Sequence, residues 1–325
     1  MELSAPLNVH WEITNECNFN CLQCYQRSDN NRCHLTDNQI LYVASQIVEA
    51  GIFQVSLSGG EPFMVPVLFD VIRLFKKNNI DVIVCSNGSL ISDTHAALLR
   101  ELDVPIQISL DSSNEQLNNQ IRGHQQAFNL ALNAIDILVR HSVDVSISFC
   151  ATKNNFMDLG GVAKTCISHN VKKLIIGEML PVRSDVQNKN LLSRKEYIAF
   201  LENARKIKDE LESLEIFINT NWGFIIDSYF DHAPCTALDR DFAILYNGYV
   251  TPCPFIRHMK YYLGNILDES IKEIWKVAKT SEFYKMKHSG CDSRCEHYEK
   301  CMSGCKAELA NTGQSIEKGD SRCIK

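Results

Sequence analysis

Residues 17–24 read Cys17-Asn18-Phe19-Asn20-Cys21-Leu22-Gln23-Cys24 and place three thiols within eight positions, directly after a short apolar segment. Fourteen cysteines occur in 325 residues, and the first residues have neither the basic nor the apolar run of a secretion signal, so a disulfide framework is disfavoured. Structural zinc takes four ligands, whereas three close thiols leave one metal position open. An iron–sulfur cluster with one iron free of protein ligands therefore fits this spacing better than zinc does.

Apolar, strand-like segments alternate with amphipathic, helix-length segments through the first half of the chain, and this order predicts a parallel sheet. The first strand is expected at 7–14, where Val9, Trp11 and Ile13 alternate with polar residues. Further strands are expected at 54–58, 80–85, 105–110, 143–149 and 171–176. Six strands are fewer than the eight of a closed barrel, so the α/β fold class is a partial (β/α)6 barrel with one open side.

In a parallel α/β fold, reactive residues gather where the strands end. After the second strand, two glycines allow a close backbone approach and a glutamate supplies a carboxylate. A strand-to-helix turn is the alternative explanation for two glycines, and Asn87-Gly88 is by itself a good turn. The residues at these ends are Gly59, Gly60 and Glu61 after the second strand, Asn87 after the third, and Ser109 and Asp111 after the fourth.

The cysteine spacing, combined with Ser58-Gly59-Gly60-Glu61-Pro62, resembles the radical S-adenosylmethionine (SAM) superfamily. The resemblance implies a [4Fe-4S] cluster on Cys17, Cys21 and Cys24 whose fourth iron binds the amino and carboxylate groups of SAM. It further implies that one-electron reduction of SAM releases a 5′-deoxyadenosyl radical, which abstracts a hydrogen atom from the substrate. A flavodoxin- or ferredoxin-type protein is the expected electron donor.

The resemblance also implies contacts with SAM. The Gly-Gly-Glu-Pro motif is expected to bind the SAM amino group, and Arg122 in Ile121-Arg122-Gly123 its carboxylate, because guanidinium and carboxylate match as a fork. A solvated surface arginine is the alternative for Arg122. Many members carry an aromatic residue at the position of Gln23 to contact adenine, and here Tyr25 or Phe19 is expected to replace it. The cofactor-binding residues implied are Tyr25, Gly59, Gly60, Glu61, Asn87, Ser109, Asp111 and Arg122.

The last third of the chain holds a second set of cysteines, from Cys235 to Cys323, and a predicted hairpin at Tyr246-Asn247-Gly248-Tyr249-Val250 leads into Cys253. Their order resembles the SPASM domain, a C-terminal extension with auxiliary iron–sulfur clusters, although three residues separate Cys291 from Cys295 where the usual pattern has two. Zinc ribbons are the alternative. The implied ligands are Cys291, Cys295, Cys301 and Cys323 for one auxiliary [4Fe-4S] cluster, and Cys235, Cys253 and Cys305 for the other.

The second of these clusters lacks a fourth cysteine, so its last position is expected to go to substrate, water, or Asp231 or His232. In total, three [4Fe-4S] clusters are expected. Two separate cysteine-rich centres predict two domains: 1–215 with the radical SAM barrel and a bridging helix at 194–214, and 216–325 with the auxiliary clusters.

Four cysteines lie outside both sets. Cys85 and Cys150 end the third and fifth strands, where a side chain that faces the barrel interior can donate a hydrogen atom in an epimerase. Packing is the alternative for both residues. Cys166 is expected to pack on a helix, and Cys33 is expected to have no special role.

Charge and hydropathy limit the partners. The net charge is −6, from 33 basic and 39 acidic residues, and like charges form no long run, which disfavours nucleic-acid and membrane surfaces. No apolar run approaches the about 18 residues of a membrane span. A cytoplasmic enzyme is therefore expected.

The substrate is the least determined property. Enzymes that this chain resembles modify ribosomally made peptides, activate sulfatases, or act on sugars and aminocyclitols in antibiotic biosynthesis. Peptide modification by cross-linking, oxidation or epimerisation is predicted, with a sugar or aminocyclitol as the alternative and a non-catalytic iron–sulfur electron-transfer protein as a third, which the intact Gly59-Gly60-Glu61 motif disfavours. A leader-peptide-binding protein is expected to be separate, because the first strand starts near residue 7. A polar loop at 178–193 is expected to line the substrate opening.

Overall fold

A computed structural model describes residues 3–28, 34–181, 188–220, 235–286, 292–301 and 303–311, with the single residues 313, 315 and 323. Its strands, numbered in chain order, are β1 Asn8–Thr14, β2 Gln54–Gly59, β3 Asp81–Ser86, β4 Ile106–Ser109, β5 Val145–Ala151, β6 Lys173–Glu178, β7 Glu215–Asn219, β8 Asp241–Ile244, β9 Tyr249–Thr251 and β10 Gly264–Asn265. Its helices are α1 Asp37–Ala50, α2 Leu68–Lys77, α3 Asp93–Glu101, α4 Glu115–Arg122, α5 Ala127–Arg140, α6 Leu159–Ser168, α7 Arg194–Glu210, α8 Ile271–Thr280, α9 Glu282–Met286, α10 Tyr298–Cys301 and α11 Lys306–Asn311.

All strands belong to one sheet in the order β10-β9-β8-β1-β2-β3-β4-β5-β6-β7. Strands β1 to β6 are parallel and consecutive, as predicted, and each lies within two residues of its expected bounds. Within the described part of the chain, no pairing joins β7 to β10, so the sheet is open on one side. The α/β partial-barrel class is confirmed.

Two parallel strands were not predicted. Strand β7 extends the sheet beyond β6, and β8 pairs in parallel with β1 on the side away from β2. They have five and four residues, and β7 continues the alternation of strands and helices after α7. Strand β8 brings the auxiliary region into the same sheet as the barrel.

Helix α7 covers most of the segment predicted as a bridging helix. Its apolar stripe is buried as expected, and Phe200 lies 6.5 Å from Phe149 of β5, measured between ring centroids. Because β7 follows α7 and pairs with β6, the helix connects two neighbouring strands of the sheet. The predicted domain boundary after residue 215 falls at the start of β7 and stays a prediction.

The two faces of the sheet differ in chemistry. On β5, Val145, Ile147 and Phe149 are buried, while the alternate side chains are half-buried. The buried face packs on the helices, and Trp11 of β1 contacts Phe75 of α2 edge-to-face at 6.3 Å. The opposite face also includes Ile83 and Ile175, but it carries mainly polar side chains, which are Ser56, Ser58, Cys85, Gln107, Ser109, Ser146, Ser148 and Cys150. A polar inner face of this kind leaves space for a ligand above the strand ends.

The auxiliary region closes the other end of the sheet. The predicted hairpin is confirmed: β8 and β9 are antiparallel, and Gly248 has the positive φ of 86° that its turn requires. Helix α8 buries Trp275, which contacts Phe242 of β8 and donates a hydrogen bond of 2.9 Å to the carbonyl of Leu3. The C-terminal third is thus packed on the start of the chain.

Candidate active site

The three-cysteine loop follows β1 and is supported from below by the turn after β2. The amide of Gly60 donates to the carbonyl of Thr14 at 2.7 Å, and that of Glu61 donates to the carbonyl of Glu16 at 2.7 Å. A Cβ atom on Gly59 would lie 2.2 Å from the Thr14 oxygen, and one on Gly60 would lie 1.9 Å from the Glu16 oxygen. Both glycines are therefore needed for the turn to contact the loop.

The end of α4 supports the middle of the same loop. The amide of Leu22 donates to the carbonyl of Ile121 at 2.8 Å, and Phe19 stacks on His124 with ring centroids 4.4 Å apart. Gly123 ends the helix with φ of 62°, and a Cβ there would lie 2.1 Å from the Asn20 oxygen. The predicted Ile121-Arg122-Gly123 segment thus lies against the cysteines, and Arg122 is not a surface arginine.

Arg122 is half of a buried ion pair at the loop. Its Nη1 lies 3.2 Å from Oδ2 of Asp111, with the two side chains 12% and 1% exposed. Burial disfavours the charged form, but the negative charges of Cys21 and Asp111 outweigh it and raise the pKa of Arg122. Its buried Nε has no hydrogen-bond partner among the described residues. A buried guanidinium whose Nε–H group is still available suits a carboxylate ligand.

Asp111 joins three elements through its carboxylate. Oδ1 accepts from the backbone amide of Cys150 at 2.9 Å, and Oδ2 accepts from Nε2 of Gln23 at 2.5 Å as well as from Arg122. Sequence reasoning noted Gln23 only as a departure from the aromatic residue expected there, and it gave no role to the amide. The structure shows Gln23 tying the cysteine loop to the end of β4. The predicted contact of Asp111 with ribose or substrate stays a prediction.

Glu61 is wholly buried, and its carboxylate accepts three hydrogen bonds from the protein. The donors are the amide of Phe63 at 3.1 Å, the hydroxyl of Ser86 at 2.9 Å and the amide of Asn87 at 2.8 Å. Burial raises the pKa of Glu61, and these hydrogen bonds counteract part of the rise. The side chain therefore joins the ends of β2 and β3, and its predicted role as a SAM contact stays a prediction.

Asn87 contacts the cysteine loop directly. Its Nδ2 donates to Oδ1 of Asn18 at 2.9 Å and lies 3.8 Å from Sγ of Cys17. Its Oδ1 accepts from the amide of Ser89, which is the turn anticipated from the sequence. The turn is therefore confirmed, and the predicted contact of Asn87 with SAM stays a prediction. Ser109 lies half-buried on the same rim, opposite Ser148 in the register.

Cys85 and Cys150 lie on the inner face near the cysteine loop. Burial raises the pKa of Cys85 to about 12 and that of Cys150 well above its ordinary value, so both are thiols at neutral pH. Cys150 also feels the charges of Asp111, Arg122, Glu178 and Cys21, whereas Cys85 feels that of Glu61. Of the two thiols, Cys150 is influenced by more charged groups, and one of them is Cys21 of the catalytic loop.

The auxiliary cysteines form a second group. Burial raises the pKa of Cys253, and the nearby Cys305 and Cys235 raise it further, so these three thiols lie close together. They are the predicted ligands of the cluster with an open position. Cys295, Cys301 and Cys323 are half-buried. Cys33, Cys291, Asp231 and His232 lie outside the described residues.

The donor set agrees with cluster rather than single-ion binding. Among the described residues, no group of three or more His, Cys, Asp or Glu side chains is arranged for one metal ion. A four-iron cluster spaces its thiolates more widely than one ion does, and thiols are the ligands that such clusters take. Burial raises the pKa of Cys17 and raises that of Cys21 to about 11, while the nearby cation of Arg122 counteracts part of both rises.

A cavity of about 210 Å³ opens at the end of β6. Part of the loop at 178–193, together with one residue each of α7 and α11, lines this cavity. Residues 182–187 of the loop lie outside the described part of the chain, and its role at the substrate opening stays a prediction. The lining residues are Glu178, Met179, Pro181, Leu191, Leu192, Tyr197 and Glu308. The auxiliary region therefore contributes one wall of this cavity.

Comparison with known proteins gives the class of this site. Residues 11–163 match the model of the radical SAM superfamily, and residues 235–306 match that of an iron–sulfur cluster-binding domain, SPASM. The mycofactocin maturase MftC of Mycobacterium ulcerans is 26% identical over 342 residues, covering 99% of this chain and 89% of that protein. The AdoMet-dependent heme synthase of Methanosarcina barkeri is 24% identical, covering 99% and 97%. The solved structure of Streptococcus suis SuiB bound to precursor peptide SuiA has a TM-score of 0.82 at 16% identity and covers 99% and 76%.

The fold, the cysteine loop and the auxiliary thiols define an enzyme that uses SAM and iron–sulfur clusters. The chain belongs to the radical SAM superfamily and carries a C-terminal SPASM domain. The alternative of a non-catalytic electron carrier is thereby excluded. Among the described helices, none is both long and apolar enough to cross a membrane.

Proposed function

We propose that this enzyme modifies one side chain, or one pair of side chains, of a ribosomally made peptide by cross-linking, oxidation or epimerisation. The observation that carries the proposal is the cavity at the end of β6. Its volume of about 210 Å³ is below the ~300–1,000 Å³ of pockets that enclose a whole small ligand. It can hold a side chain while the rest of a larger substrate stays outside.

The position of the cavity supports the same conclusion. Glu178, in its lining, is close enough to influence Cys150, which in turn is influenced by Cys21 of the catalytic loop. A side chain placed there would lie between the catalytic loop and the auxiliary region. The names of MftC, a maturase, and of SuiB, which was solved with a precursor peptide, agree with a peptide substrate.

Three [4Fe-4S] clusters are proposed. Cys17, Cys21 and Cys24 would hold the first, and the open iron, with Arg122 and the Gly59-Gly60 backbone, would hold SAM, whose one-electron reduction supplies the 5′-deoxyadenosyl radical. Because the Glu61 carboxylate is engaged by the protein, contact with the SAM amino group falls to the backbone of that turn. The remaining proposed contacts are Tyr25, Glu61, Asn87, Ser109 and Asp111. The auxiliary clusters would use Cys291, Cys295, Cys301 and Cys323, and Cys235, Cys253 and Cys305.

Whether the product is oxidised depends on whether a thiol returns a hydrogen atom to the substrate radical. Cys150, held as a thiol by burial and adjacent to the catalytic loop, is the better-placed donor, with Cys85 second. Such a donor would permit epimerisation, and the thiyl radical left on it would return to the thiol by taking up one electron from the reductant and one proton. If neither thiol acts, the residues that would hold the auxiliary clusters would place an electron acceptor beside the substrate radical, and loss of that electron and a proton would give an oxidised product. A flavodoxin- or ferredoxin-type electron donor and a separate leader-peptide-binding protein complete the proposal.

The test uses reconstituted enzyme, SAM, a reductant and short peptides encoded beside its gene. A peptide substrate is expected to raise 5′-deoxyadenosine release and to emerge either lighter by a pair of hydrogen atoms or, in deuterated water, with one deuterium. Release that responds instead to a sugar, an aminocyclitol or a porphyrin, with every peptide unchanged, would refute the peptide assignment and leave the SAM chemistry standing.

A further inference from the structure

The auxiliary region contacts the catalytic loop through Tyr25, the residue that follows Cys24. The guanidinium carbon of Arg257 lies 4.8 Å from the centroid of the Tyr25 ring. The ring of Phe255 meets the same ring edge-on, with centroids 5.2 Å apart and planes at 69°. Both partners belong to the short segment that starts at Cys253, a proposed auxiliary-cluster ligand.

Arg257 is fixed in place by a buried ion pair. Its two terminal nitrogens bind the two carboxylate oxygens of Glu12 on β1, one of them at 3.0 Å, and the side chains are 4% and 0% exposed. The backbone amide of Arg257 donates to Oδ1 of Asn311 in α11. The Nδ2 of Asn311 donates to the carbonyls of Phe255 at 2.7 Å and Pro181 at 3.0 Å. Arg257 cannot move without breaking several buried contacts.

The same segment folds around the sulfur of Cys253. The amides of Phe255 and Ile256 both donate to that sulfur, and Ile256 also donates to the Cys253 carbonyl at 3.2 Å. Phe255 and Arg257 are therefore held in the same turn as Cys253, the proposed auxiliary ligand.

Stability alone does not account for a buried arginine here. A buried ion pair replaced by well-packed apolar side chains often leaves a protein as stable or more stable. A guanidinium over an aromatic face, by contrast, fixes the ring in direction as well as in distance. Next to Cys24, a fixed ring also fixes the last ligand of the catalytic cluster.

We propose that Arg257 is a positioning residue for the catalytic loop. Residues 253–257 hold Tyr25, and through it Cys24, in the arrangement in which the open iron accepts SAM. The auxiliary region thereby influences SAM binding through contacts, in addition to any electron that it accepts. This inference needs the SAM site but no particular substrate, so it stands or falls independently of the peptide assignment.

The test compares Arg257→Lys with the control Arg294→Lys in reconstituted holoenzyme. Lysine keeps the charge but lacks the planar fork, so it cannot pair with Glu12 and cover Tyr25 at the same time. Arg294 is exposed and pairs only locally with Asp292. Iron per chain, the electron paramagnetic resonance (EPR) spectrum of the reduced enzyme with and without SAM, and the SAM dissociation constant are measured without peptide.

Arg257→Lys is expected to keep its iron, to weaken SAM binding about tenfold, and to reduce the change that SAM makes in the spectrum. Arg294→Lys is expected to match the wild type in all three measurements. Full iron content with unchanged SAM binding and an unchanged spectrum in Arg257→Lys would overturn the proposal.

If Arg257→Lys loses iron, Phe255→Leu decides, because it removes a ring that packs on Tyr25, alters no buried charge and is not one of the proposed SAM contacts. Weakened SAM binding with full iron content then supports the proposal, and normal binding overturns it. When both variants retain iron, the double variant adds a further check. Effects that do not add indicate that the two residues act through one contact, whereas fully additive effects refute this.

Discussion

The two cysteine-bearing regions are held in different ways. The catalytic loop is enclosed by protein: the Gly59-Gly60 turn lies below it, the end of α4 beside it, and Gln23 ties it to Asp111. Of the later auxiliary cysteines, Cys301 instead ends α10, a helix of four residues. A helix this short is not stable by itself. Because α11 is buried, we expect packing to shape the first site and metal to be needed mainly around α10 in the second.

The largest expected effect tests the catalytic loop itself. A Cys17→Ala, Cys21→Ala, Cys24→Ala triple variant should release no 5′-deoxyadenosine, because the open iron is lost, while the barrel should still fold. Assays of 5′-deoxyadenosine in reduced enzyme measure this. Cys166→Ala, a change in a buried helix position, is the control that should retain release. Release at the native rate from the triple variant would show that the catalytic cluster is elsewhere.

A methyl group added at Gly60 tests whether packing fixes the conformation of the cysteine loop. Gly60→Ala places a Cβ 1.9 Å from the Glu16 oxygen, so the loop must shift, at a cost of about 1–3 kcal/mol in folding free energy and with weaker SAM binding. Denaturant unfolding and SAM titration measure the two effects.

The control for this change is Gly160→Ala in α6, where the nearest atom would lie 3.6 Å away. Alanine suits a helix better than glycine, so we expect a neutral or stabilising effect of about 0.5–1 kcal/mol. A Gly60→Ala enzyme as stable and active as Gly160→Ala would mean that the turn does not constrain the loop.

Removal of iron should separate the two regions. In chelated enzyme, backbone amides of β1 to β6 should keep their protection from hydrogen exchange, whereas those around Cys295 and in α10 should lose it, because metal binding supplies folding free energy to small cysteine-rich regions. Hydrogen exchange with mass spectrometry, compared before and after chelation, gives the answer. Equal protection of both regions without iron would contradict the comparison.

The smallest expected effect concerns the buried Cys85 thiol in the barrel. Its pKa is about 12 in the folded chain against an ordinary value of 9.0, so the folded state favours the protonated form. Its contribution to stability is complete below pH 9.0 and is lost as the pH rises toward 12. The stability difference between wild type and Cys85→Ala should therefore be constant from neutral pH to about 9 and shrink above it. Unfolding measured across this range would disprove the burial effect if the difference changed near neutrality.

Sequence reasoning succeeded where a residue pattern has a local cause. The six strands were found because apolar alternation recurs with helices between them, and Asn87 because the strand ends share one rim. Arg122 was found because the segment Ile121-Arg122-Gly123 resembles one of the family. Sequence reasoning failed where the interacting residues are far apart in the sequence. Glu12 and Arg257 are 245 positions apart, and neither carries a motif that names the other. The side-chain bonds of Glu61 and Gln23 likewise depend on neighbours that only the folded sheet supplies.

The parallel pairing of β8 with β1 has a consequence for synthesis of the chain. Strand β1 is made first, yet its outer edge pairs with residues 241–244, and Asn8 donates a hydrogen bond of 2.7 Å to Asp241 across 233 positions. A nascent chain with β1 to β7 complete still carries an uncovered edge strand, which can pair with other chains. Aggregation during translation is thus a specific hazard of this topology, and it ends only when β8 is in place.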